Sequence, residues 1–334
     1  MNIKTLFFTL VTLGFSSLKI SAEEHANHVE KDIKTEIKET IAHHLMDSHD
    51  FILTHDISFP LPVILYTDGN LDIFSSANFL HGKKSYTVDG RTYSLDHGHI
   101  VEASGLSPID FSITKNVTFI MIVFLIMLTM FIRMARSYKK SSLPSGIGRV
   151  LEPIVLYIRD DIAIPNIGEK HYKKFMSYLL TVFFFIWIIN LFGLTPLGVN
   201  VTNNIAVTLS LALITYVLTT VNANKSYWGH IFWMPGVPAP MKLILAPIEL
   251  LGTIIKPFSL MIRLYANITA GHIVLMSILG LMFVFKGWIG SSLSFGLAFA
   301  LSLLELLVAA LQAYIFTMLS ALYFGSAVEE HDDH

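Results

Sequence analysis

Arg263 lies in the apolar run Ser259-Leu-Met-Ile-Arg-Leu-Tyr-Ala-Asn-Ile-Thr-Ala-Gly-His272. A guanidinium keeps its proton at any ordinary pH. Holding one at bilayer depth costs at least about 2.5–3.5 kcal/mol, which marks a functional site. Glu249, Lys256, Arg263 and Asn267 recur at separations of seven, seven and four. At about 100° per residue they leave one face of a helix, and Ser259 joins them. A polar stripe in a membrane helix faces protein or water rather than lipid. Lys256 fits equally a side chain snorkelling to the interface, and Glu249 an interfacial anion. His272 lies nine residues beyond Arg263, about half a revolution away unless Gly271 bends the chain.

A second long apolar segment carries Glu305 and Gln312, seven apart and on one face. Paired as an antiparallel hairpin, Arg263 with Gln312 and His272 with Glu305 fall within two positions of one register, about 3 Å. That register centres on Trp288, inside a predicted turn Phe285-Lys-Gly-Trp-Ile-Gly290. Imidazole and carboxyl groups can pass protons along a membrane path, so His272–Glu305 fits a relay. It fits equally a structural pair that satisfies two buried polar groups.

The elements that must position these residues are apolar helices. The chain is 53% hydrophobic and 14% charged, the balance of a polytopic membrane protein. Its net charge of −2 argues against a nucleic-acid partner, and the absence of cysteine excludes a disulfide framework and any thiolate metal site. No Gly-rich phosphate loop, His-Glu-x-x-His zinc site or nucleophile elbow occurs, so the sequence calls for no cofactor and no covalent chemistry.

Met1 to Lys4 is a short basic start, Leu6 to Leu18 is apolar, and Ile20-Ser-Ala22 precedes two glutamates. That order predicts a cleavable signal over 1–22, or else an uncleaved anchor, and an exported segment 23–115 either way. In that segment Val29, Ile33, Ile37, Ile41 and Leu45 recur every four residues, an amphipathic helix pattern. Turn signals at Asp68-Gly69-Asn70 and Asp89-Gly90 predict one or two hairpins over 57–101. Nine of the fourteen histidines fall there, His43, His44, His97 and His99 among them. Their spacing defines no metal site and reads as a solvated polar surface.

The remainder, 116–334, predicts about five membrane segments near 117–134, 175–194, 205–221, 242–285 and 291–324. The last two exceed a simple span and require tilt or breaks. Between the first two lies a loop carrying Arg136, Lys139, Lys140, Arg149, Arg159, Lys170, Lys173 and Lys174, which places it in the cytoplasm. Within it, Ile147–Ile158 predicts an amphipathic helix on the inner surface. The fold class is therefore all-α polytopic, with a small exported α+β extension, exported N-terminus and cytoplasmic C-terminus.

Arg263-Leu-Tyr-Ala-Asn-Ile-Thr-Ala-Gly-His272 resembles the Arg-Leu-Phe-Gly-Asn-x-x-Ala-Gly-(His/Glu) pattern of subunit a of the F-type ATP synthase membrane sector. Glu249, Lys256-Pro257, Leu311-Gln-Ala-Tyr-Ile-Phe316 and Glu329-Glu-His331 support the resemblance. Thr208-Leu-Ser-Leu-Ala-Leu213 and Asn190-Leu-Phe-Gly-Leu-Thr-Pro196 carry it upstream, so it spans roughly 116–331. The resemblance implies a stator subunit of a rotary ATP synthase in a bacterial inner membrane. Its partners would be a ring of small hairpin subunits (subunit c), peripheral-stalk subunit b and the rest of the synthase. It further implies two aqueous half-channels separated by Arg263, which meets the ring carboxylates. The implied ion path holds Arg263, His272, Glu305, Gln312, Asn267 and Glu249, with Asn203, Asn204, Ser259 and Lys256 as possible lining. The sequence departs from the family at Tyr265-Ala266, which replaces Phe-Gly, and at Asn203-Asn204, where some relatives have a carboxylate. His272 and Glu305 are also exchanged relative to several members. A stand-alone secondary transporter or channel is the rival reading, and inverted repeats would favour it.

Overall fold

The computed structural model describes residues 47–54, 57–79, 84–96, 99–105, 108–140, 146–195, 201–234, 237–284 and 288–329. The expected signal 1–22, the amphipathic pattern over 29–45, His43, His44, His97, the turn at 196–200 and the acidic tail from Glu330 lie outside the described residues.

The first described elements are strands. β1 (Asp50–Thr54) pairs with β2 (Ile57–Pro60); β3 (Pro62–Thr67) pairs with β4 (Asn70–Ser75) and, on its other edge, with β8 (Ile109–Asp110). β5 (Tyr86–Val88), β6 (Arg91–Asp96) and β7 (His99–Glu102) form a third antiparallel sheet. Two predicted turns are there and their mechanism is visible. Asp68 and Gly69 take φ of 48° and 83°, Asp89 and Gly90 take 45° and 79°. Two consecutive positive φ values are the type I′ hairpin turn, for which Asp-Gly is a preferred pair. Val63, Leu65, Phe74, Phe79, Tyr93 and Ile100 fill the core beneath these sheets. Asp72, 3% exposed, is held there by Arg91 at 3.1 Å and by the Tyr93 hydroxyl, which donates to it at 2.7 Å.

Helices follow. α1 (Lys115–Lys140) is the first span. α2 (Ile147–Tyr157) runs through a π-helical turn, Ile158–Ala163, into the single turn α3 (Ile164–Ile167). The predicted amphipathic helix is thus longer than its pattern. Leu151, Ile158, Ile162 and Ile167 are buried in the same apolar core as Val123 of α1. α4 (Tyr172–Gly193) is the second span and the most enclosed, with Phe175, Leu179, Val182, Phe184, Ile186 and Ile189 in that core.

α5 (Ile205–Val221) and α6 (Lys225–Phe232) meet at 102°, the geometry of a broken span or a re-entrant loop. α7 (Ala239–Val284) and α8 (Trp288–Val328) are 46 and 41 residues long, as the lengths of the apolar runs require. Among the described residues, four helices are long and apolar enough to cross a membrane, five if the bent pair counts as one. Trp288 to Gly290 are helical and open α8, which corrects the turn expected to extend over Phe285–Gly290. Hydropathy could not set that boundary, since tryptophan and isoleucine serve equally in a turn at the interface and in a helix.

Candidate functional site

α7 turns one side inward through Thr253, Pro257, Leu260, Leu264, Ile268 and His272, each three or four residues after the last. α8 answers with Glu305, Ala309, Gln312, Phe316, Ser320 and Phe324. Phe324 of α8 stacks on Phe175 of α4, while α7 and α8 run antiparallel and touch where His272 lies 3.6 Å from Glu305 between Nδ1 and Oε1. The separation is that of an ion pair and exceeds a hydrogen bond. Both residues are 9% exposed. Glu305 Oε2 is buried and makes no hydrogen bond.

Gly271 explains how the carboxylate fits. A Cβ at that position would stand 2.6 Å from Glu305 Oε1 and 3.3 Å from its Cγ. The carboxylate therefore occupies the notch left by the missing side chain, directly against the α7 backbone.

The expected stripe borders this buried face and is present as a gradient. Glu249, Lys256 and Arg263 are half-buried, and Ser259 and Asn267 are exposed. His272 leaves a different face, as nine residues of straight helix demand. Extending the His272–Glu305 register puts Tyr314 level with Arg263, so Gln312 lies about 3 Å away in depth. Among the described residues, no hydrogen bond joins Arg263 to Gln312 and no carboxylate pairs with Arg263. The structure thus brings together one expected pair and sets the other only at a matching depth.

Polar groups from neighbouring elements gather at each end of this segment. Near His272, Thr269 donates a hydrogen bond to Asn203 Oδ1. Asn203 ends a 3-10 turn, Val201–Asn203, whose Thr202 donates to Asn190 Oδ1 at 2.9 Å. Asn190, at the end of α4, is 4% exposed and its Nδ2 is buried without a partner. Asn204 acts locally instead, since its side chain accepts from Ala206 N at 2.9 Å and caps α5. Near Lys256 lies a small, partly open cavity, lined by Thr215, Tyr216 and Thr219 of α5, Tyr227 of α6, Thr253 of α7 and Tyr323 of α8. Lys256 reaches over the Tyr323 ring, 5.5 Å from its centroid.

Sequence reasoning missed Thr269, Thr202 and the cavity threonines, and considered Gly271 only as a bend and not as the notch for a carboxylate. A signal for the last group existed. Thr208, Ala212, Thr215 and Thr219 repeat at three or four residues on α5 and are all buried. Threonines in helices bond back to their own backbone, as Thr219 does to Thr215 O at 2.8 Å, and so do not stand out as a polar stripe. Among the described residues, no group of three metal-ligating side chains occurs. His49, one of the histidines of the first segment, bonds Asp110 at 2.9 Å.

A helical multi-pass membrane protein results, whose two longest helices enclose a carboxylate–imidazole pair and carry a separate, half-buried guanidinium. The sequence pattern of the family described as ATP synthase A chain matches residues 117–325, and the chain belongs to that family. Residues 40–117 match a second family, described only as a domain of unknown function. ATP synthase subunit a of Chloroherpeton thalassium is 41% identical over 260 residues, covering 75% of this chain and 77% of the relative. ATP synthase subunit a 2 of Chlorobaculum tepidum is 41% identical over 263 residues, 75% of this chain and 73% of that protein. The subunit a of Myxococcus xanthus is 41% identical over 247 residues, 72% and 81% of the two chains.

Proposed function

We propose that the chain is the proton-conducting stator subunit of a rotary ATP synthase, with Arg263 as the barrier between two aqueous half-channels. One observation carries this reading. Arg263 stands on α7 between two polar spaces, about 10 Å along the axis from Lys256 and about 13 Å from His272. The Lys256 cavity, with its tyrosine and threonine lining, supplies an entry from one side. The Asn190, Thr202, Asn203, Thr269, His272 and Glu305 group supplies the other.

In this mechanism a ring of small hairpin subunits presents a membrane carboxyl group to Arg263. The guanidinium draws the deprotonated carboxylate and repels protons, which prevents a direct leak across the bilayer. The proton leaves through one half-channel and the carboxylate is reprotonated from the other after the ring turns. His272 and Glu305 hand protons along the second path. Asn267 and Ser259, exposed beside Arg263, and Gln312, buried near its depth, shape the contact with the ring, and Glu249 lies toward the Lys256 end. Peripheral-stalk subunit b holds the chain against rotation. Residues 1–22 act as a secretory signal and 23–115 as an exported extension, with the Arg136–Lys174 loop in the bacterial cytoplasm and the protein in the inner membrane. The basic loop supports that orientation.

Proton pumping by the purified synthase in lipid vesicles tests the role of Arg263. Arg263→Ala should abolish ATP-driven acidification while the subunit still co-purifies with the ring. Arg263→Lys should fail as well, since a compact ammonium does not reproduce the planar fork. Acidification at the wild-type rate in either variant overturns the barrier assignment.

A further inference from the structure

Antiparallel sheets in water alternate apolar and polar residues, whereas strands apolar on both sides are covered on both sides. β3 and β4 break that alternation. Their inner side supplies Val63, Leu65 and Phe74 to the core. On their outer side Ile64 faces Ile73 and Tyr66 faces Leu71 across the β3–β4 ladder. Along the other edge of β3, Tyr66 faces Ile109, and Phe111 N donates to Ile64 O at 2.9 Å. Two rows of three apolar side chains result, Phe111–Ile64–Ile73 and Ile109–Tyr66–Leu71. Ile73 and Phe111 are each 62% exposed and Leu71 58%. A contiguous apolar patch rimmed by strand ends marks an interaction site.

The way this sheet joins the first span says what covers it. The ladder on β3 continues past β8, with Ile113 N donating to Pro62 O at 3.1 Å. Lys115, the first residue of α1, donates from its backbone to Ser48 O at 2.9 Å, and Asn116 N to Asp47 Oδ1 at 3.2 Å. Only Thr114 separates the ladder from these helix anchors. Phe111 therefore lies within about 14 Å of the start of α1, the reach of four residues. The first turns of α1 already expose Val117, Met121 and Phe124, side chains suited to lipid. The grid carries no charge that would select a basic or acidic protein, and its aromatic members, Tyr66 and Phe111, are residue types that suit the membrane interface.

We propose that this six-residue grid is a membrane-docking surface, seated on the headgroup–acyl boundary of the bilayer that α1 enters. It tethers the sheet to lipid and fixes the tilt at which the first span begins. The proposal concerns the sheet alone and is independent of the ion path.

The chain has no cysteine, so single labels are clean. Leu71→Cys, Ile73→Cys and Phe111→Cys, each carrying a nitroxide, are compared with Thr87→Cys, an exposed position on β5. The assembled synthase is placed in vesicles of phosphatidylethanolamine and phosphatidylglycerol, and spin relaxation by oxygen and by a water-soluble nickel chelate is measured. The expected result is a ratio of oxygen to nickel accessibility several-fold higher at the three grid positions than at position 87. A water-like ratio at the grid overturns the proposal. So does protection from both reagents, which identifies protein as the cover.

Discussion

The pairing of His272 with Glu305 depends on three residues rather than two. Each partner comes from its own helix, and Gly271 leaves the space in which the carboxylate sits 2.6 Å from a would-be Cβ. On the proposed mechanism the chemistry belongs to the pair and not to either helix. The exchange of both residues is therefore expected to be better tolerated than either single change. His272→Glu alone places two carboxylates together, and Glu305→His alone leaves two imidazoles. Like charges at this distance disfavour each other in a low-dielectric site, so in either single variant the two groups cannot both carry charge. The double variant, His272→Glu with Glu305→His, should retain more ATP-driven acidification in vesicles than either single variant. A double variant no better than the worse single one would show that the two residues act separately.

At the scale of elements, α8 approaches the α2–π-turn–α3 segment more closely than any side chain allows. A Cβ on Gly325 would lie 1.8 Å from Asn166 O and 2.9 Å from Asn166 C. These are backbone atoms at the end of α3, and they cannot rotate aside. Gly325→Ala should therefore cost more than the about 1–3 kcal/mol typical of overpacking. The level of folded subunit in membranes and its thermal aggregation point in detergent both read the loss; Ser326→Ala, next to it and exposed, serves as the control. The contact was not legible in the sequence, because a lone glycine in an apolar run carries no sign of a partner so far back along the chain. What was legible followed local periodicity. The lengths of α7 and α8 and the Asp-Gly hairpins come from spacing that one element contains, and the His272–Glu305 register from two adjacent runs joined by a short connection. The 102° break between α5 and α6 and the Thr269–Asn203 bond come from tertiary packing, and no window of sequence holds both halves.

The whole molecule joins a sheet unit, stabilised in water, to helices stabilised in lipid, and these parts should respond differently to acid. The junction between them is built from Asp110 and its neighbours. Burial alone would raise the Asp110 pKa, but hydrogen bonds from His49 and from Ser112 outweigh it and hold the carboxyl below its ordinary value. His49 contributes the contact at 2.9 Å and Ser112 N one at 2.8 Å. A carboxyl lowered on folding binds more protons in the unfolded state, so its stabilisation is complete above its unfolded pKa near 4 and is lost as pH falls through the folded value. Hydrogen exchange of the intact protein should show this as faster exchange at the amides of Phe111, Ile113 and Lys115 below about pH 4. The amides of α4, buried in the apolar core, should keep their protection over the same range after correction for the intrinsic rate. Asp110→Asn removes the titrating group while keeping an acceptor oxygen, so the acid-dependent opening should disappear. If the junction of that variant still opens below about pH 4 as the wild type does, Asp110 is not the group that sets the acid sensitivity.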